Sequence, residues 1–360
     1  MTDQPLYRAK SWSAFAAAGL ATLLIGLAPG LASARVLSLY VAPNGSMSAD
    51  GTKKEQAVPT LARAIEIAKQ RLQPDVSAVE VHVAPGVYKD QQLKLAGTPG
   101  GLPLSLLGAA GKDNARPQFQ GKGEGTWLSY SSNKHDKNSL KVSGFEVSNY
   151  RTAISLNGSR KNKDSWNGGH EITNNVFMKI GQSSEAVRPS TAAIRLVNSR
   201  NNKIVGNTFN EIRNVQQCNL LHAVYVAHYS SGNLISNNTF DGGCGAVIKV
   251  RDASNGNKIV QNKFLNQELE AVQDSFCDKS KSSMCTRETP ECPSWDNVVE
   301  SNAIATAAPD VLAARTAAAG KKMGQPKVAV VKGQAAPPGC DAPPGEGRRI
   351  RSVQNQYMKK

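Results

Sequence analysis

The chain has 360 residues, 6% of them aromatic, and a formal net charge of +15. That length holds one large domain or two ordinary ones. The charge favours a polyanionic partner, but no nucleic-acid-binding motif is present.

Residues 1–34 read as a secretory signal peptide. Arg8 and Lys10 supply the positive start, residues 14–31 the apolar run, and Ala32-Ser33-Ala34 the cleavage site. An uncleaved anchor is the alternative, because the apolar run approaches spanning length. After signal cleavage no segment is apolar enough to span a membrane. A secreted or periplasmic location follows, and it makes the six cysteines disulfide partners, not zinc ligands. Cys218 and Cys244 are expected to meet across adjacent coils, while Cys277, Cys285 and Cys292 share one loop and Cys340 can take the odd one.

A strand over 39–42 leads through a Gly/Asn loop to Pro59. The spacing of Leu61, Ala64, Ile65 and Ala68 then predicts a helix over about 60–71. Val79, Val81 and Val83 alternate before the Pro85-Gly86 turn, with His82 on the opposite, surface side. Residues 97–139 carry weaker strands between Gly-rich turns.

From about 140 to 304 one unit recurs. Ile172-Asn175-Phe177, Ile204-Asn207-Phe209 and the stretches ending at Phe240 and Phe264 share it. Leu140-Ser143-Phe145 reads as a degenerate copy, and Val299-Asn302-Ile304 as one shifted by a residue at its first position. The Phe-to-Phe steps are 32, 32, 31 and 24 residues, which puts five of eight Phe in one register. Short alternating strands precede the units, so Ile154, Ile194, Val224 and Ile248 are expected to form an inner ladder and the Asn residues a hydrogen-bonded one. The longer repeats project loops at 157–169, 181–191 and 213–221, and a Cys-rich loop spans 266–296. Beyond residue 306 the composition turns to Ala, Lys, Pro and Gly. Residues 320–360 hold nine bases and two acids, and 307–360 reads as a largely disordered basic tail.

This pattern resembles the right-handed parallel β-helix superfamily that contains the pectate lyases and related polysaccharide lyases. The resemblance implies an all-β solenoid of eight to ten coils over 35–306, with the N-terminal helix capping its open end. It also implies a monomer acting on an acidic polysaccharide.

Strand alternation places Ser155, Arg195, Tyr225, Lys249 and Arg251 on one outward face, with His222 before the strand and His228 and Tyr229 after it. Such a strip fits β-elimination on a uronate. Lys249 would take the C5 proton, Arg251 or Arg195 would hold the carboxylate, and Tyr225 or His222 would protonate the departing O4. Arg195, His228 and Tyr229 are the expected substrate-binding residues. The stretch IKVRDASNGN resembles the lysine-bearing strand of the chondroitinase B and alginate lyase branch, which makes Lys249 the counterpart. The branch's Arg-His-Gly motif is missing, and Asp241, Asp252 and Asp274 are scattered instead of clustered. Calcium is therefore allowed as a cofactor but not required, and no metal ligand is assigned. Inverting hydrolysis would need paired carboxylates that the sequence does not display. A C5-epimerase and a non-catalytic polysaccharide-binding protein remain open alternatives.

Overall fold

The computed structural model describes residues 34–133, 139–182, 191–214, 216–277, 291–305, 313, 327–332, 336–341, 343 and 347–358. The signal-peptide reading and most of the 181–191 loop lie outside them. Among the described residues, no helix is long and apolar enough to cross a membrane.

Among the described residues three long sheets run between Arg35 and Met358, with ten, nine and eight strands, and every strand pairs in parallel with the equivalent strand of the next coil. Such pairing is a right-handed parallel β-helix. The first sheet begins at Arg35–Val41 and Val76–Val83, the second at Gly86–Lys89, and the third, which carries the expected site, at Leu93–Leu95. Each strand supplies an inward column to one continuous core, because no coil can bury its apolar face alone. In the third sheet Leu128, Ile154, Ile194, Val224, Ile248 and Val272 follow one another as that inner ladder.

The helix spans Leu61–Gln70. Thr60 caps it by accepting the Arg63 amide, and Leu61, Ala64, Ile65, Ile67 and Ala68 are buried. It packs against Arg35–Val41, Val76–Val83 and Leu93–Leu95. Val79, Val81 and Val83 are fully buried, while His82 stacks on Tyr40 on the opposite side of the strand.

The turns are held by two buried Asn ladders. In one, Asn175, Asn207, Asn238, Asn262 and Asn302 each donate from both backbone N–H and Nδ2 to the next coil's Asn Oδ1, at 2.9–3.1 Å. Asn202, Asn233 and Asn257 repeat this in the second, down to Asn297. His170 begins that ladder by accepting the Leu140 amide on Nδ1 at 3.1 Å.

Two registers differ from the sequence reading. Val147, not Phe145, pairs with Phe177, and Val142, not Leu140, pairs with Ile172. Phe145 takes the place of the ladder Asn, donating its amide to Asn175 Oδ1, because its ring fills the space beside Phe119 and Trp127. The Phe stack therefore runs through Phe177, Phe209, Phe240 and Phe264. Val299 needs no shift, since it pairs directly with Ile259, and Ile304 with Phe264.

The β-helix also continues past residue 306. Ala329–Lys332, Ile350–Val353 and Gln356–Met358 each add a strand to one of the three sheets. The basic tail meets a buried acid. Asp274 sits in the inward column beside Val250, and Arg349 meets it with two bonds of 2.8 and 3.0 Å. The Arg349 guanidinium also lies over Phe276 and Trp295. Disulfides join Cys218 to Cys244, with Cα atoms 5.5 Å apart, and Cys292 to Cys340.

Candidate functional site

The outward face of the third sheet presents three columns. The middle one is continuous: Ser129, Ser155, Arg195, Tyr225, Lys249 and Gln273 lie in register on successive coils. Neighbours are thus about 4.8 Å apart at the backbone. Ala227 and Arg251 form the column nearest the turn.

The remaining column holds His222, and a local irregularity puts it there. Strict alternation from Val224 would turn His222 into the core. Instead the Val247 carbonyl accepts from the amides of both Ala223 and Val224, at 2.9 and 3.1 Å. A bulge of this kind inserts a residue and reverses the facing of what precedes it. The His222 ring consequently stacks on Tyr225, with centroids 5.8 Å apart and planes 13° off parallel.

His222 is buried, and its Nδ1–H donates to the Ala246 carbonyl at 2.7 Å. Burial, with Lys249 and Arg251 nearby, pushes its pKa from 6.5 down to about 3. The ring is therefore neutral, with its lone pair on Nε2. Tyr225 is also buried. Burial raises its phenol pKa, while Arg251, Arg160 and Arg195 pull it back. The hydroxyl thus keeps its proton inside a ring of guanidinium groups.

Arg195 is the cation with least compensation. One NH donates weakly to Asn157 Oδ1 at 3.4 Å, and its buried Nε finds no acceptor among the described residues. Burial lowers its pKa, against the pull of Tyr225. Lys249 Nζ donates to Gln273 Oε1, and Gln273 in turn donates to Glu270 at 2.7 Å. Arg251 is different: its Nε and a terminal nitrogen both bond Glu291 Oε2, at 2.7 and 2.6 Å. Burial disfavours that cation, but Tyr225, Glu291 and Asp252 outweigh it and raise its pKa.

The turn after this face places the other expected residues. His228 is fully buried, with Nδ1 2.6 Å from Asp252 Oδ2 and Nε2 accepting from Arg160 at 2.7 and 3.0 Å. Both ring nitrogens of His228 are thus engaged within the protein. Burial first, and Arg160 after it, lower its pKa against the opposing effect of Asp252. Tyr229 lines a groove of about 180 Å³ with Lys163, Asn255, Trp295 and Asp341.

Glu270, Glu291 and Arg160 were not singled out in the sequence. Glu270 was within reach of it, since two coil offsets of 24 residues separate it from His222. Glu291 and Arg160 come from loops, and no repeat register marks a loop residue.

Ligand atoms of His228, Asp252 and Glu291 all lie within 4.8 Å of one another. The set does not fit calcium, which takes six to eight oxygen ligands. One member is an imidazole. Asp252 is satisfied by His228 and the Cys292 amide, and Glu291 Oε2 by Arg251 and the Cys277 amide, while the buried Glu291 Oε1 makes no hydrogen bond among the described residues.

No protein-family profile matches the chain, and no curated protein is detectably similar to it. Solved structures share the architecture at low identity. An alginate lyase from Paenibacillus sp. strain FPU-7 is 12% identical over 89% of this chain and 95% of its own, with a TM-score of 0.43. The catalytic domain of a GH87 α-1,3-glucanase in complex with nigerose is 13% identical over 69% and 44%, at 0.45. A rhamnogalacturonan lyase is 14% identical over 74% and 68%, at 0.38. These neighbours act on polysaccharides. The likeness is one of fold.

Proposed function

We propose that the protein is an exported polysaccharide lyase that cleaves a uronate-containing polymer by β-elimination. One observation carries the reading: Arg195, Tyr225 and Lys249 stand on three successive rungs of one face, with a proton-bearing phenol between two cations. Elimination needs the C6 carboxylate neutralised, the C5 proton removed and O4 protonated. Arg195, whose terminal nitrogen makes only a weak bond of 3.4 Å to Asn157, receives the carboxylate. Lys249 takes the C5 proton and Tyr225 delivers its own to O4. Arg251 is committed to Glu291 and supplies background charge more than direct binding.

His222 is the weaker choice of base. A group with a pKa of about 3 has little proton affinity to drive carbon deprotonation, although it is always unprotonated at neutral pH. Its ring instead fixes the plane of Tyr225. Hydrolysis is disfavoured because Glu291 is buried, with Oε2 bound by Arg251 and the Cys277 amide, so it is not exposed to a sugar and a water. The disulfides support an oxidising compartment.

The test is incubation of purified protein with pectate, alginate and glycosaminoglycans, with and without chelator, following the ultraviolet absorbance of the unsaturated product. Chelator-insensitive absorbance is expected, and Lys249→Ala should lower it by about 10²–10⁴-fold. Reducing ends without absorbance would mean hydrolysis. Isomer exchange without cleavage would mean epimerisation, and binding without turnover a non-catalytic role. Full activity in Lys249→Ala would move the base to another group.

A further inference from the structure

Arg160 sits on the 157–169 loop, exposed to solvent, yet its fork is fixed from below by a buried acceptor. Both Nε and a terminal nitrogen donate to His228 Nε2, at 3.0 and 2.7 Å. That geometry requires an unprotonated Nε2, so the His228 proton is on Nδ1 and points at Asp252. Asp252 is held in turn by the Cys292 amide at 3.1 Å. The loop is pinned as well: Asn198 Nδ2 donates to the carbonyls of Ser159, Asn162 and Ser165 at 2.9–3.1 Å. A surface arginine serving only solubility needs none of this support.

The same guanidinium lies within electrostatic reach of the Tyr225 phenol, together with Arg195 and Arg251. Asp252 and Glu291 each have a cation or imidazole proton assigned to them, so they do not neutralise an incoming anion's partner. The place a divalent metal could take among His228, Asp252 and Glu291 is served instead by two arginines, one on each flank.

We infer that Arg160 is an anion-binding residue of the cleft, held in position by the Asp252–His228 pair, and that it takes an oxyanion of an acidic saccharide. The inference rests on the functional reading above and adds a recognition residue to it. The neutral His228 ring takes Nε and one terminal nitrogen without cancelling the charge, so a carboxylate or sulfate is met by the terminal edge of the guanidinium in a fixed plane, which a lysine does not reproduce. Its support lowers the ordering cost that a free surface side chain would meet on binding.

The experiment is equilibrium titration of the full chain with oligogalacturonate, oligoalginate and a neutral cello-oligosaccharide of equal length, over a salt series. Arg160→Ala should weaken acidic-oligomer binding by roughly tenfold and flatten its salt dependence. Neutral-oligomer binding should stay as in the wild type, while the melting temperature falls modestly because the buried His228 Nε2 loses its donors. Arg160→Lys should recover only part of the affinity. His228→Gln, with Arg160 intact, should also weaken acidic binding. If Arg160→Ala binds acidic oligomers as tightly as wild type while Arg195→Met does not, the lyase reading stands and this inference fails. If His228→Gln and Asp252→Asn leave affinity unchanged, the positioning role fails. A wild type that binds none of the acidic oligomers overturns both readings.

Discussion

At Arg195 stability and the proposed role pull in opposite directions. A buried N–H without an acceptor carries a desolvation cost of about 1–3 kcal/mol, and Arg195 Nε is in that position. Replacing it with Met keeps the packing stem and removes the orphan donor. Arg195→Met is therefore expected to unfold at a denaturant concentration equal to or above wild type, while kcat/KM for the acidic polymer falls. Loss of stability with unchanged kinetics would mean that Arg195 is structural. His222 gives a pH prediction. Its folded pKa of about 3 lies below the ordinary 6.5, so between those values the unfolded chain binds a proton that the folded chain refuses. Its contribution is complete above the ordinary value and is lost as pH falls, by up to about 1.4 kcal/mol per pH unit. His228 acts in the same direction. Chemical denaturation of His222→Gln at neutral and acidic pH should show a smaller acid loss than wild type. Gln can still donate to the Ala246 carbonyl.

Among elements, the Asn ladders set the register on which the site depends. Asn207 Oδ1 accepts both the backbone amide and Nδ2 of Asn175, and its own Nδ2 donates to the Ile172 carbonyl at 2.8 Å. Asn207→Ala leaves these buried groups orphaned at once, and a loss of about 2–4 kcal/mol is expected. Urea titration measures it. A loss no larger than that of an exposed Asn, such as Asn237→Ala at the neighbouring turn, would show that the ladder is decorative. The bulge at Ala223 matters as much for chemistry. It is the backbone feature that brings His222 onto the same face as Tyr225, and so sets the environment of the phenol.

For the whole molecule, the decisive contact is between the tail and the body. Arg349 neutralises Asp274 inside the last coils. Burial raises the Asp274 pKa, against the opposing effect of Arg349. Removing one partner of a buried pair leaves the other charge uncompensated, at about 3–5 kcal/mol. Arg349→Ala should lower the melting temperature sharply, and adding Asp274→Leu should restore much of the loss, because an apolar residue suits that inward column. A single variant that melts like wild type would mean that the terminal coil is not coupled to the rest. The Cys292–Cys340 disulfide ties the same tail to the loop bearing Glu291, so tail docking and the placement of the Arg251 partner are linked through one short segment.

The sequence by itself determined the solenoid and most of its registers. A repeat whose strands alternate and whose turns carry Asn and Phe at fixed offsets can bury its apolar side only by stacking. The same offsets placed Arg195, Tyr225 and Lys249 on consecutive rungs, because coil-to-coil pairing preserves column identity. Offsets lose force where packing chooses between two apolar residues, which is how Val147 displaced Phe145 from the Phe stack. They carry no information about loops or about the reach of long side chains. Only the tertiary structure could bring Arg160 onto His228, Glu291 onto Arg251 and Arg349 onto Asp274, across 68, 40 and 75 residues. The tail's composition reads as solvated disorder, but a buried carboxylate elsewhere in the chain provides the partner that orders its strands. Local sequence cannot show that pairing, since the free energy of burying an acid and a base together belongs to neither segment alone.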